Sequence, residues 1–145
     1  MLDNTRVDLS QTRMENAKED LATAAENMRA GRFRAANNRA YYAIYHAINA
    51  VLAIDSADAK SSGRAIEYFN ENYLNSNLLD NYLKIVIDYA AETRNRCDYE
   101  DYYASTQEET KRNVSGAGDV LLAADNYIES RLKKESIQSA QYTEN

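Results

Sequence analysis

The sequence predicts an all-α protein built as an up-and-down bundle of four to five helices. Its 145 residues include no proline and only four glycines, so few residues interrupt a helix. Apolar residues recur at steps of three and four along most of the chain, which is the period of one helix face. Both ends of the sequence are polar and lack this pattern. We therefore expect one helical domain at residues 11–134, a flexible arm at 1–10 and a flexible tail at 135–145.

The most apolar segment, residues 37–52, is predicted to be a central helix. One face carries its large apolar side chains: Tyr41, Tyr45, Ile48 and Leu52. Alanines cover much of the remainder, and a helix that is apolar on nearly all sides has to lie inside the bundle. Arg39 and His46 interrupt it two turns apart on one stripe, and we expect them to form a structural polar core. A buried guanidinium needs either an internal carboxylate or an anionic ligand, and we expect the former. The candidates are Asp88, Glu92 and Asp98.

A first helix should precede this central one. Thr12 and Glu15 have the spacing of a capping box, and Gly31 is a typical helix stop. The short connection forces these two helices to pack as antiparallel neighbours. After the central helix, residues 55–63 are predicted to form a loop, and residues 64–74 a shorter helix.

Two longer helices should complete the bundle. Asn77 is a good N-cap for a helix that runs to about Arg96. Ser105 begins a second capping box, which opens a last helix reaching about residue 134. Gly116 and Gly118 lie inside that helix, where glycine is unfavourable unless another helix approaches closely. We interpret them, with the surplus of tyrosines, as signs of a homodimer.

Composition limits the classes of function. The net charge of −6 argues against a general nucleic-acid coat, although arginines cluster locally. One cluster contains Arg29, Arg32, Arg34 and Arg39, and the other contains Arg94 and Arg96. One cysteine and one histidine cannot supply a conventional zinc site, so we expect neither a metal nor a cofactor. No apolar run reaches membrane-spanning length and the start is polar, which predicts a cytoplasmic protein without a membrane partner.

Several segments together resemble a known family. Residues 39–52 (RAYYAIYHAINAVL), Lys60–Gly63, Arg94–Tyr99 and a long closing helix occur in this order. This arrangement resembles small stand-alone prokaryotic proteins of the HEPN superfamily, an all-α group named for nucleotide binding. The resemblance covers roughly residues 10–134.

The resemblance draws attention to the Arg94 motif. HEPN ribonucleases carry an arginine, four to six residues and then a histidine, and two subunits combine these motifs into a metal-independent RNA-cleaving site. Here Tyr99 occupies the position of the histidine, and no histidine follows residue 46. Tyrosine titrates near ~10 and is a poor general base at neutral pH, so the ordinary cleavage chemistry is not expected. The catalytic residues stay unassigned, with Arg94 and Tyr99 as the best candidates.

The resemblance also implies ligands and partners. It implies a homodimer that binds nucleotide or RNA phosphate in a dimer cleft, beside a minimal nucleotidyltransferase in a toxin–antitoxin or phage-defence module. The candidate ligand-binding residues are Arg94, Arg96, Asp98, Tyr99 and Tyr102. Two alternatives stay open: a divergent metal-independent ribonuclease, and a non-catalytic protein-interaction module in which Arg94 and Asp98 form only a local ion pair.

Overall fold

The chain is described by a computed structural model over residues 3–143, with side-chain burial over residues 3–136. This part of the chain contains six α-helices and no strand. The helices are α1 (Asn4–Arg29), α2 (Phe33–Ile54), α3 (Asp58–Ser61), α4 (Ala65–Phe69), α5 (Tyr82–Tyr99) and α6 (Gln107–Thr143). A π-helical turn, Asn70–Leu74, follows α4 directly. The predicted all-α class is confirmed, with four long helices and two short ones.

The central position of α2 follows from its composition. Its inner side chains are small alanines and fully buried aliphatic residues, including Ile44, Ile48 and Leu52. It packs against α1, α4, α5 and α6. The α1–α2 turn is sharp because Gly31 adopts a positive φ of 77°, which a residue without a side chain tolerates. The antiparallel pair of α1 and α2 is therefore the frame of the bundle.

The two ends of the chain differ from the sequence-based expectation. Residues 4–10 are not a loose arm but the first turns of α1, and Asp3 caps this helix by accepting a hydrogen bond from the Arg6 amide at 2.7 Å. Ser10 is buried and donates to the Ala50 carbonyl at 2.8 Å, which ties these turns to α2. At the other end α6 continues through Thr143, so residues 135–143 are helical rather than a flexible tail. Residues 1–2 and 144–145 lie outside the described range.

Several predicted helix boundaries also shift. Asn77 is not an N-cap: it has a left-handed φ of 62° in the turn before α5, which begins at Tyr82. The cap of α6 is Thr106 rather than Ser105, because its hydroxyl accepts from the Glu109 amide at 3.1 Å. The pair Thr12 and Glu15 lies well inside α1 and caps nothing.

The two glycines of α6 have different surroundings. A Cβ atom on Gly116 would lie 2.6 Å from Cγ1 of Val86, so this glycine permits α5 of the same chain to approach closely. A Cβ atom on Gly118 would meet nothing within 4 Å. The close approach predicted from glycine is present, but it lies within one subunit.

Candidate functional site

Arg94, in the last turns of α5, is held against α2. Its guanidinium lies over the rings of Tyr41 and Tyr42, 4.8 Å and 5.3 Å from their centroids. Nη2 is 3.3 Å from the Tyr42 hydroxyl, and Nε is 3.2 Å from Asp98 Oδ2. Burial raises the pKa of Tyr41, while the nearby Arg94 guanidinium opposes this rise. Arg94 is therefore fixed by two tyrosine rings and one carboxylate.

Arg96 lies on a different face of α5. Residues two apart on a helix do not face each other, which separates it from Arg94. Its guanidinium lies 4.1 Å from the Tyr103 ring centroid, and its Nε is 3.4 Å from Glu100. The two arginines of one subunit therefore do not form a single phosphate-binding pair.

The tyrosines of the motif are on the surface. Tyr99 is 78% exposed and Tyr102 is fully exposed, whereas the neighbouring Cys97 thiol is buried. Neither exposed ring contacts another aromatic ring or an arginine in the described part of the chain. Their faces are free to stack on a planar group.

Arg39 and His46 share one carboxylate, which belongs to α1. Asp20 Oδ1 is 3.2 Å from Arg39 Nη1, and Oδ2 is 3.5 Å from His46 Nε2. The partner is thus Asp20 and not Asp88, Glu92 or Asp98. The Arg39 side chain is 37% exposed, so it is not the buried core group that the sequence pattern suggested. It also lies 5.0 Å from the Tyr42 ring centroid, and Tyr42 therefore contacts both Arg39 and Arg94.

A cleft of about 720 Å³ opens beside this cluster, where the α1–α2 turn meets the end of α5. Three arginines line it: Arg32, Arg34 and Arg39. The remaining lining is mixed. Asp98 comes from α5, Phe33 and Ala35 are apolar, and Asn27, Asn38 and Thr23 carry amide or hydroxyl groups. We call this space the arginine cleft. Of the predicted ligand-binding residues, it contains only Asp98.

The arginine cleft holds positive charge that the protein does not neutralise. Neither Arg32 nor Arg34 forms an ion pair or a side-chain hydrogen bond within the described residues. Arg39 divides its donors between Asp20 and the Asn38 amide oxygen, at 3.2 Å and 2.8 Å. Two guanidiniums are therefore available to an anion, and a third lies beside them.

Sequence reasoning recognised these arginines as a cluster but did not assign a site to them. The signal was the density of arginine around Gly31, at positions 29, 32, 34 and 39. The cleft itself could not be predicted, because Asp98, which also lines it, is about sixty residues away in the chain.

Two classes of site find no support in the described residues. No group of three or more His, Cys, Asp and Glu side chains is arranged to hold a metal ion within residues 3–143. Over the same part of the chain, no helix combines the length and apolarity needed to cross a membrane.

Comparison with models of known protein families gives a match. A family model described as HEPN domain matches residues 10–131, which is most of the chain. The search of curated proteins returned no match.

Proposed function

The chain belongs to the HEPN domain family, and from this premise we propose that it binds the phosphate groups of a nucleotide or of RNA. One observation carries the proposal: Arg32 and Arg34 line a cleft of about 720 Å³ without a carboxylate partner in the described residues. An unpaired guanidinium forms short, charge-assisted hydrogen bonds with phosphate, often two at once. In a protein with a net charge of −6, such a local concentration of cations favours an anionic ligand at this place.

The end of α5 is proposed to extend the same surface. Asp98 belongs both to the arginine cleft and to the ion pair with Arg94, so the motif predicted from the sequence borders the cleft. Beyond it lie Arg96 and the exposed rings of Tyr99 and Tyr102. Exposed tyrosines can stack on bases without regard to sequence, which suits an RNA strand whose phosphate is held nearby.

The test is binding of a fluorescent, 5′-phosphorylated RNA oligonucleotide, followed by anisotropy at two salt concentrations. We expect Arg32→Gln/Arg34→Gln to weaken binding by about tenfold or more, since each lost charged hydrogen bond costs ~1.5–3 kcal/mol. Arg6→Gln/Arg64→Gln removes two arginines elsewhere on the surface and should change affinity by less than about twofold. Equal affinity of the two double variants, or no binding by the wild type, would contradict the proposal and leave a protein-interaction module.

The divergent ribonuclease receives no support from a specific observation. Arg94 and Arg96 lie on different faces of α5, and the single histidine, His46, faces Asp20 rather than the motif. We expect the purified protein to leave a labelled RNA intact at neutral pH. Cleavage that disappears in Arg94→Ala would reinstate the enzymatic alternative.

The proposed partners are a second copy of the chain and a nucleotidyltransferase, in a toxin–antitoxin or defence module. Family membership supports both, and exposed apolar residues on the outer side of α5 support the first; Tyr82 and Ile85 are 52% and 60% exposed. Light scattering of the wild type should return twice the chain mass of 16.4 kDa. The Ile85→Asp variant should return the mass of a single chain. A wild-type monomer at micromolar concentration would contradict the dimer.

The test of the second partner is whether an adjacent gene encodes a nucleotidyltransferase and whether its product co-purifies with this chain. If there is no such gene, the proposal of this partner fails.

A further inference from the structure

We propose that a groove between α1 and α6 docks a short, basic, amphipathic helix of a partner protein. This space, which we call the α1–α6 groove, has a volume of about 620 Å³. It is lined by residues between positions 11 and 18 of α1 and between positions 122 and 132 of α6. None of its lining residues belongs to the arginine cleft, so docking there does not depend on phosphate binding.

The length of the groove suits a helix. Most of its lining residues recur at steps of three and four, so α1 and α6 each contribute one continuous face. The α6 side, from residue 122 to residue 132, is about 15 Å long. A docked helix anchors through apolar side chains at i, i+3, i+4 and i+7, which span about 10.5 Å and therefore fit within this length.

The lining includes apolar side chains that a partner can cover. Met14 and Ile128 are buried, and Leu132 is partly buried. Leu122, in the same lining, is 63% exposed. Covering this leucine removes apolar surface from water, which favours the docking of an apolar stripe.

The charges of the groove favour a basic partner. Its lining contains three carboxylates, from Glu15, Asp125 and Glu129, and one ammonium group, from Lys18. Lys18 Nζ is 3.0 Å from Asp125 Oδ2, which neutralises one carboxylate. Glu15 has no ion pair within the described residues, and the pair of Glu129 with Lys133 is exposed and therefore weak. Since α1 and α6 both carry an acidic residue that remains available, lysines or arginines on both edges of an apolar stripe would each meet a carboxylate.

The same charges disfavour other occupants. Nucleic acid carries a negative charge on each phosphate, and the surface of an anionic membrane is also negative, so the carboxylates would repel both. A polyamine would neutralise the carboxylates but would not bring an apolar stripe to Leu122. A basic amphipathic helix satisfies both the charge and the apolar surface of the groove.

The experiment measures the binding of three fluorescein-labelled peptides, each of about 14 residues, to the full chain by fluorescence anisotropy. The basic peptide has leucines at i, i+3, i+4 and i+7, with lysines on both edges of this stripe. The acidic peptide has glutamates in place of the lysines, and the scrambled peptide has the composition of the basic one without a helical stripe. We expect the basic peptide to bind at least about tenfold more tightly than either of the others, and less tightly as the NaCl concentration is raised.

A substitution of the exposed leucine locates the apolar contact. Leu122→Gln should weaken binding of the basic peptide by about fivefold or more, because its apolar surface is lost. Leu78→Gln is the matched control, since Leu78 is a similarly exposed leucine that does not line the groove. It should change affinity by less than about twofold.

A second pair of variants locates the charge contact. Glu15→Gln/Glu129→Gln should weaken the basic peptide by about threefold or more. Glu71→Gln/Glu92→Gln removes the same charge at two exposed positions outside the groove and should change affinity by less than about twofold. Circular dichroism spectra that match the wild type establish that each variant is folded.

Five outcomes would overturn the proposal, and phosphate binding by the arginine cleft would stand in each. Equal binding of the acidic peptide would mean that charge is not recognised, and equal binding of the scrambled peptide would mean that no helix is recognised. Groove variants that bind like their controls would place the contact elsewhere. Spermidine binding as tightly as the basic peptide would assign the groove to a small polycation. Failure of all three peptides to bind would remove the docking site.

Discussion

Replacing Asp55 tests the contacts that hold the C-terminal half of α6 to the rest of the bundle. The Asp55 carboxylate, just after α2, accepts hydrogen bonds from the hydroxyls of Tyr73 and Tyr127 and from Arg131 Nε. The oxygen–oxygen distance to Tyr73 is 2.7 Å, and the nitrogen–oxygen distance to Arg131 is 2.8 Å. One side chain thus joins α2, the π-helical turn and α6.

The expected cost of Asp55→Ala follows from these three bonds. The Asp55 side chain is only 18% exposed, and Tyr73 is buried. A hydrogen bond to a charged group contributes ~1.5–3 kcal/mol when well buried, and partial exposure of Arg131 reduces its share. We therefore expect the free energy of unfolding to fall by about 3 kcal/mol.

Asp58→Ala is the matched control. Asp58 is also an aspartate paired with an arginine, but it is 38% exposed and lies 3.7 Å from Arg13. Its loss should cost under ~1 kcal/mol. Urea denaturation followed by circular dichroism measures both variants. If Asp55→Ala and Asp58→Ala have the same stability, or if Asp55→Ala lies within about 1 kcal/mol of the wild type, the reasoning about this carboxylate is refuted.

Three further predictions concern the ionisation of Tyr73 and Tyr127, the glycines of α6, and Arg39. Burial and the hydrogen bond to Asp55 raise the pKa values of Tyr73 and Tyr127 above the ordinary value of ~10. Their contribution to stability is therefore complete below that pH and is lost as the pH rises above it. We expect the urea concentration at the unfolding midpoint to decrease when the pH is raised from 8 to 10.5, and to decrease less in Asp55→Ala. Gly116→Ala should destabilise the protein by ~1–3 kcal/mol, because the new Cβ atom would lie 2.6 Å from a methyl group of Val86. Gly118→Ala, where a Cβ atom meets nothing within 4 Å, should stabilise it by up to ~1 kcal/mol. Melting temperatures that change in the same direction in both variants would contradict this contrast. Arg39→Met should lower stability by under ~1 kcal/mol, since its ion pair is 37% exposed, yet weaken phosphate binding measurably; a large loss of stability with unchanged binding would make Arg39 purely structural.

The fold could be predicted because the helix-forming information is local. The apolar stripe of residues 37–52, the scarcity of helix breakers and Gly31 as a stop signal correctly indicated a central helix and its antiparallel neighbour. The ends were wrong for a physical reason. Ser10 lies in a polar stretch, but its hydroxyl reaches a carbonyl of α2 forty residues away, and no local pattern reports such a contact.

In the candidate site, too, sequence patterns indicated a contact between neighbouring residues but not the contacts between distant ones. Sequence spacing left a local ion pair of Arg94 with Asp98 open as one of two alternatives, since residues four apart meet on a helix, and the two side chains lie 3.2 Å apart. The same rule separates Arg96 from Arg94, because residues two apart lie on different faces of a helix. Spacing could not reveal that Asp98 lines the same cleft as Arg32 and Arg34. Asp20 was missed as the partner of Arg39 because several acidic residues were equally plausible until the packing of α1 against α2 was known.

The most direct test of the account is an NMR titration of the ¹⁵N-labelled protein with AMP, following the backbone amide of every assigned residue. We predict saturable shifts concentrated at residues 31–39 and at Asp98, and their loss in Arg32→Gln/Arg34→Gln. Shifts confined to residues 96–102, or the absence of saturable shifts at millimolar AMP, would contradict the claim that the arginine cleft is the binding site.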